Sequence, residues 1–195
     1  MREQVIRLYN FKELPEFVQK QLLDKYRYWH TSDSCWAQQI IGDWKYQLDK
    51  LGFIDATILS SKSSGQGSGA CFDCNKIDLE KALDNPELND NGKYDKLRKV
   101  LHLLSAEVYR NNLSNHYCHK NTRSADINYN HKKLWRLEEL INELEKDLET
   151  LRIKCCDEIF QELEAEEDYL TSDEALTESL SQDHYEFTKN GILWG

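Results

Sequence analysis

The sequence predicts an α+β fold: a four-stranded antiparallel sheet made of two hairpins, packed with helices, and one long acidic C-terminal helix. Three observations predict it. Residues 53–59 and 70–77 alternate in polarity on either side of a Gly/Ser-rich stretch, the pattern of a hairpin about its turn. Apolar residues recur at helical spacing in several segments. In the C-terminal third, Leu134, Leu137, Ile141, Leu144, Leu148 and Leu151 are spaced three and four apart, a heptad-like seam.

In chain order, Asn10 with Glu13 reads as a capping box opening a helix over residues 10–29, with Leu14, Phe17, Val18, Leu22 and Tyr26 on one side. A second helix over 34–51 ends at Gly52, a glycine C-cap. Its Trp36, Ile40, Ile41, Trp44 and Leu48 form a broad apolar stripe suited to packing on the sheet. The first hairpin follows, with Gly65, Gly67 and Gly69 about its tip, and then a turn-rich loop over 84–92. Leu97, Leu101, Leu104 and Val108 predict a third helix over 94–111. Residues 113–120 and 123–129, joined near Asn121, predict the second hairpin.

The longest helix starts near His131 and continues to about Tyr169, flanked by Glu138, Glu139, Glu143, Glu145 and Glu149. It either covers the sheet or projects to form a homodimer. Thr171 with Glu174 is a further capping box for a short helix to Leu180, and residues 185–194 supply a short edge strand. The organisation is an α+β core over 1–131 and a helical, acidic segment over 132–195 packed on the same domain.

The chain has 195 residues and a formal net charge of -10, which argues against direct nucleic-acid binding, since phosphate backbones need clustered Lys and Arg. The acid is uneven: residues 157–188 hold many carboxylates and no Lys or Arg. Such a face is either a solvated helix surface or a match for a basic groove. No apolar stretch approaches the length of a membrane span and the N-terminus has no signal-peptide core, so a cytosolic protein with reduced thiols is expected.

Cys71 and Cys74 with Cys118 and His119 are the candidate metal ligands, and His116 lies beside them. Their spacing argues against a site, because residues three apart on a straight strand point to opposite faces. Buried thiols and surface histidines are the expectation, with no cofactor. A nucleophilic Cys71 would need a base such as His116 or His119 and a setting that lowers its pKa. The glycines lack the Lys-Ser/Thr of a P-loop, and they fit an exposed recognition loop better. Cys155 and Cys156 are adjacent on a helix and point about 100° apart, so they do not chelate one ion.

The stretch Ser64-Gly65-Gln66-Gly67-Ser68-Gly69-Ala70-Cys71-Phe72 resembles the Ser-Gln-Gly-Asp-Gly-Ala-Cys-Phe signature of a family encoded largely by phages and prophages. Proteins of that family are often labelled antitoxin of toxin–antitoxin stability system. Ser68 stands where Asp is usual, and Gly65 is inserted. The resemblance extends to Tyr9-Asn-Phe-Lys-Glu-Leu14, Leu51-Gly52-Phe53-Ile54, residues 163–176, Tyr185-Glu-Phe187 and Gly191. It implies origin on a mobile element more than a reaction. Together with the acidic block, it leads to the expectation of a non-enzymatic binding protein that inhibits a host protein with a basic nucleic-acid-binding surface, such as a defence complex. Ser63, Ser64, Gln66 and Ser68 would supply shape, and Glu162, Glu164, Glu166, Glu167 and Asp168 charge. An antitoxin neutralising a cognate toxin, and a Cys/His metal protein or Cys-dependent enzyme, are the alternatives.

Overall fold

The computed structural model describes residues 6–61, 68–111, 118–182 and 185–194. Strand β1 (Leu8–Tyr9) leads into a 3-10 turn, Phe11–Glu13, where the Asn10 N–H donates to Glu13 Oε2 at 2.9 Å. The helix expected over 10–29 is interrupted here. Leu14 is extended (φ −75°, ψ 152°), the conformation that the ring of Pro15 imposes on its neighbour, and α1 (Glu16–Tyr26) starts only beyond the proline. A 3-10 turn at Cys35–Ala37 precedes α2 (Gln38–Lys50), and the chain leaves α2 at Gly52 with φ +93°. A Cβ there would stand 2.6 Å from the Asp78 carbonyl oxygen, so both the left-handed conformation and the close approach require glycine.

Four short strands follow: β2 (Phe53–Ile54), β3 (Thr57–Ser61), β4 (Gly69–Asp73) and β5 (Lys76–Ile77). Helix α3 (Leu79–Asp84) is capped by the Asp78 side chain, which accepts from the Glu80 and Lys81 N–H groups. A 3-10 helix, Leu97–Leu103, feeds β6 (Leu104–Arg110), and β7 (Arg123–Tyr129) returns beside it. Then come α4 (His131–Leu134), a 3-10 turn at Trp135–Leu137, α5 (Glu138–Leu170), α6 (Asp173–Leu180), β8 (Glu186–Thr188) and β9 (Leu193–Trp194).

The first hairpin has the expected partners, β3 and β4 in antiparallel register from Thr57↔Asp73 to Ser61↔Gly69. Its tip, residues 62–67, lies outside the described residues. The four-stranded sheet does not form. Among the described residues the strands make a three-stranded antiparallel sheet β1-β8-β9 and the pairs β2-β5, β3-β4 and β6-β7. The two hairpins meet at one bridge, Cys74↔Val108, where the Val108 N–H donates to the Cys74 carbonyl at 2.9 Å. Residues 113–117 of the expected second hairpin lie outside the described residues, and β7 takes β6 as its partner instead. Residues 104–110 were expected to be helical from Leu104 and Val108. Within that stretch the buried residues are Ala106 and Val108, a period of two, and pairing with β7 satisfies the backbone as a strand.

The chain divides into two compact units, 1–38 with 163–195, and 39–162. The first buries Phe11, Leu14, Val18, Leu22, Leu180 and Phe187, with the Phe11 and Phe187 rings edge to face at 6.4 Å. Arg27 donates to the Thr171 carbonyl and pairs with Asp173, both at 2.8–2.9 Å. The second unit buries Leu48, Phe53, Phe72, Leu97, Ile141, Leu144 and Leu148. The heptad-like seam is thus spent on the chain's own core.

Candidate functional site

Strand β4 explains the Gly-Ala-Cys-Phe motif in terms of packing. Ala70, Cys71 and Phe72 are all buried, so β4 is covered on both faces. At Gly69 a Cβ would lie 3.1 Å from His119 Cδ2 and 3.2 Å from the Cys118 carbonyl oxygen, so the missing side chain lets the 118–119 backbone cross the strand. Cys71 points to the same side as that absent Cβ, two residues on.

Around this crossing lies a buried ionic cluster that the sequence did not reveal. Arg152 is fully buried and makes a two-pronged pair with Glu149, Nε to Oε2 and Nη2 to Oε1, each at 2.7 Å. Its Nη2 also donates to the Lys120 carbonyl at 2.8 Å, and its Nη1 lies 3.6 Å from Cys156 Sγ. Arg123, equally enclosed, pairs with Asp73 and donates to the Thr122 carbonyl and hydroxyl at 3.1 Å. Lys120 reaches Asp157 at 2.6 Å. Both guanidiniums are buried and held by these partners, so neither presents an exposed face to an incoming anion. The cluster ties α5 to the 120–123 turn and to β4; it is a staple. One signal was legible: Arg152 stands between Leu148 and Cys156, four residues from each, on a buried helix face.

The same surroundings decide the chemistry of the cysteines. Burial pushes the Cys71 thiol up, and the Arg123 charge and Thr122 hydroxyl only partly offset it. Burial likewise pushes Cys74 up to about 11 and Cys155 and Cys156 up to about 12. A nucleophilic thiol needs the opposite shift. Cys118 is half-buried, and His119 uses Nδ1 to accept the Asn121 N–H at 3.2 Å. Among the described residues no three His, Cys, Asp or Glu side chains converge as a metal site. His116 lies outside the described residues.

Of the residues expected to contact a partner, Ser63, Ser64 and Gln66 lie outside the described residues, and Ser68 is half-buried at the start of β4. Glu162 accepts the indole N–H of the buried Trp44 at 2.8 Å and so serves the core. Glu164 and Asp168 are exposed on α5, and Glu166 and Glu167 are half-buried. No helix among the described residues is long and apolar enough to cross a membrane.

A family model, described as a domain of unknown function (DUF8835), matches residues 36–173, and the chain belongs to that family. No curated protein and no solved structure matches the chain.

Proposed function

We propose that this member of the DUF8835 family is a non-enzymatic, cytosolic binding protein that docks the acidic C-terminal part of α5 onto a basic, nucleic-acid-contacting surface of another protein. The observation that carries this reading is the placement of charge. Residues 157–188 hold 12 of the 35 acidic residues and no Lys or Arg, while the rest of the chain is near balance, with 23 acidic against 25 basic residues. A single-sign field of this kind steers and selects cationic partners. Glu164, Glu167 and Asp168 are three and four residues apart on α5 and so share one side of the helix, with Glu164 and Asp168 exposed and Glu166 turned toward another side. The raised thiols support a role without covalent chemistry. The resemblance to mobile-element proteins makes a host defence complex the partner class.

A tagged, nuclease-treated pull-down from host lysate, read by mass spectrometry, tests the proposal when run beside a variant carrying Glu164→Lys, Glu166→Lys, Glu167→Lys and Asp168→Lys. A stoichiometric nucleic-acid-binding protein, lost with the variant and displaced by its own nucleic acid, supports it. A partner retained by the variant overturns it, and a small toxin encoded beside this chain would replace the host protein as the target.

A further inference from the structure

A second charged region has the opposite sign. Residues 93–136 carry ten Lys and Arg against three acidic residues, in a chain whose net charge is -10. Half of those cations are engaged within the fold: Lys93 with Asp147, Arg98 with Asp84 and Asp95, Lys120 with Asp157, Arg123 with Asp73, and Arg110 in contacts of its own. The other five, Lys96, Lys99, Lys132, Lys133 and Arg136, are exposed, and no ion pair among the described residues holds them.

The β6-β7 hairpin gathers these five at one place. Register pairs Leu104, the first residue of β6, with Tyr129, the last of β7. The 3-10 helix bearing Lys96 at its cap and Lys99 within it runs directly into Leu104, and α4 with the following turn, bearing Lys132, Lys133 and Arg136, leaves one residue after Tyr129. Both basic segments therefore depart from the same end of the hairpin. A groove of about 740 Å³ opens there, lined by Ser105, Asn128, Tyr129, Asn130 and Lys132. Beside it Trp135 is 63% exposed, an unusual state for the largest apolar side chain, and the Arg136 guanidinium lies 4.9 Å from its ring centroid. The nearest following carboxylates, Glu138 and Glu139, open α5 at the end where its dipole favours negative charge.

We infer that this end of the β6-β7 hairpin binds single-stranded nucleic acid, with Trp135 stacking on a base and Lys96, Lys99, Lys132, Lys133 and Arg136 along the phosphates. The polar groove suits sugar and base edges, and an open ring flanked by cations is the pairing that single strands, rather than closed duplexes, exploit. The inference is independent of the acidic docking surface, because the two use different residues in different units.

Fluorescence anisotropy with labelled oligothymidylate and oligouridylate of about 20 nucleotides, at low salt, tests it. Binding of one or both is expected, with affinity falling about 50-fold over a fourfold rise in salt if about four phosphates are neutralised. Trp135→Ala should weaken it about tenfold while Trp135→Phe keeps most of it. Lys132→Glu with Lys133→Glu and Arg136→Glu should abolish it, and the four-lysine variant of α5 described above should not weaken it. If the triple variant loses its fold by circular dichroism, single Lys132→Ala and Arg136→Ala changes, each costing severalfold, take its place. No binding at low salt overturns the inference, as does equal binding by all variants. A homodimer that sediments in the parent and dissociates in the triple variant, without oligonucleotide binding, also overturns it by making a second copy's acidic helix the occupant.

Discussion

The two halves of α5 carry similar numbers of carboxylates, six over 138–154 and seven over 155–170, and put most of them to different uses. In the N-terminal half, Glu145 accepts the Ile127 N–H at 3.0 Å and Glu149 accepts the Ala125 N–H at 2.8 Å, so helix side chains satisfy the outer edge of β7 in place of another strand. Asp147 takes the Tyr94 hydroxyl and Lys93, and just past the midpoint Asp157 takes Lys120 and Glu162 the Trp44 indole. Beyond Leu163 the same helix offers Glu164 to solvent, with no Lys or Arg in its own stretch. Acid content alone therefore says little about function. What a carboxylate does depends on whether the fold places a donor opposite it.

The largest test of that contrast is Arg152→Ala. It leaves the half-buried Glu149 without its counter-charge and the Lys120 carbonyl without its donor, and is expected to cost about 2–3 kcal/mol. Urea unfolding followed by tryptophan fluorescence measures it. A loss below about 1 kcal/mol would mean that water enters the cluster and that the N-terminal half is not the structural one.

A paired comparison sharpens the contrast on the carboxylates themselves. Glu145→Ala strands the Ile127 N–H on the edge of β7 and should cost about 1–2 kcal/mol. Glu164→Ala, on an exposed position of the same helix, should change stability by less than about 0.5 kcal/mol. Similar losses at the two sites would erase the distinction between the halves.

Much of this was legible where the signals are local. The β3-β4 hairpin, the turn at Gly52 and the buried helical seam from Ile141 to Leu151 follow from alternation, a glycine and a spacing of three and four, although the helix expected from His131 begins only at Glu138. The failures are non-local. Leu97, Leu101, Leu104 and Val108 fit a helical period, but the partner strand 123–129 makes the second half of that run a strand. Pro15 was visible, yet the capping box before it drew the helix start too early. The acidic block was plain in composition, whereas the loss of Glu162 to Trp44 was not, because the indole is 118 residues away. The buried arginines escaped for the same reason: a guanidinium partnered by the Lys120 carbonyl looks, in sequence, like any surface charge.

The smallest expected effect is a pH dependence confined to the N-terminal half. Tyr94 donates its hydroxyl to Asp147 at 2.5 Å, and Lys93 Nζ lies 2.9 Å from the same oxygen. Burial first, and then the bond to Asp147, push the Tyr94 phenol up to about 12. At Asp147 burial opposes ionisation, but Tyr94 and Lys93 outweigh it and hold the carboxyl below its ordinary range. A raised folded pKa gives stability that is complete below the unfolded value of about 10 and disappears as pH rises toward 12; a lowered one gives stability that disappears as pH falls below the ordinary carboxylate value of 3.8. Thermal midpoints should therefore decline on both flanks, and Tyr94→Phe should flatten the alkaline one because the only group titrating there from this trio would then be Lys93, itself raised chiefly by its bond to Tyr94. Parallel alkaline curves for the parent and Tyr94→Phe would show that Tyr94 loses no stability on ionising and would leave Lys93 as the partner that holds Asp147.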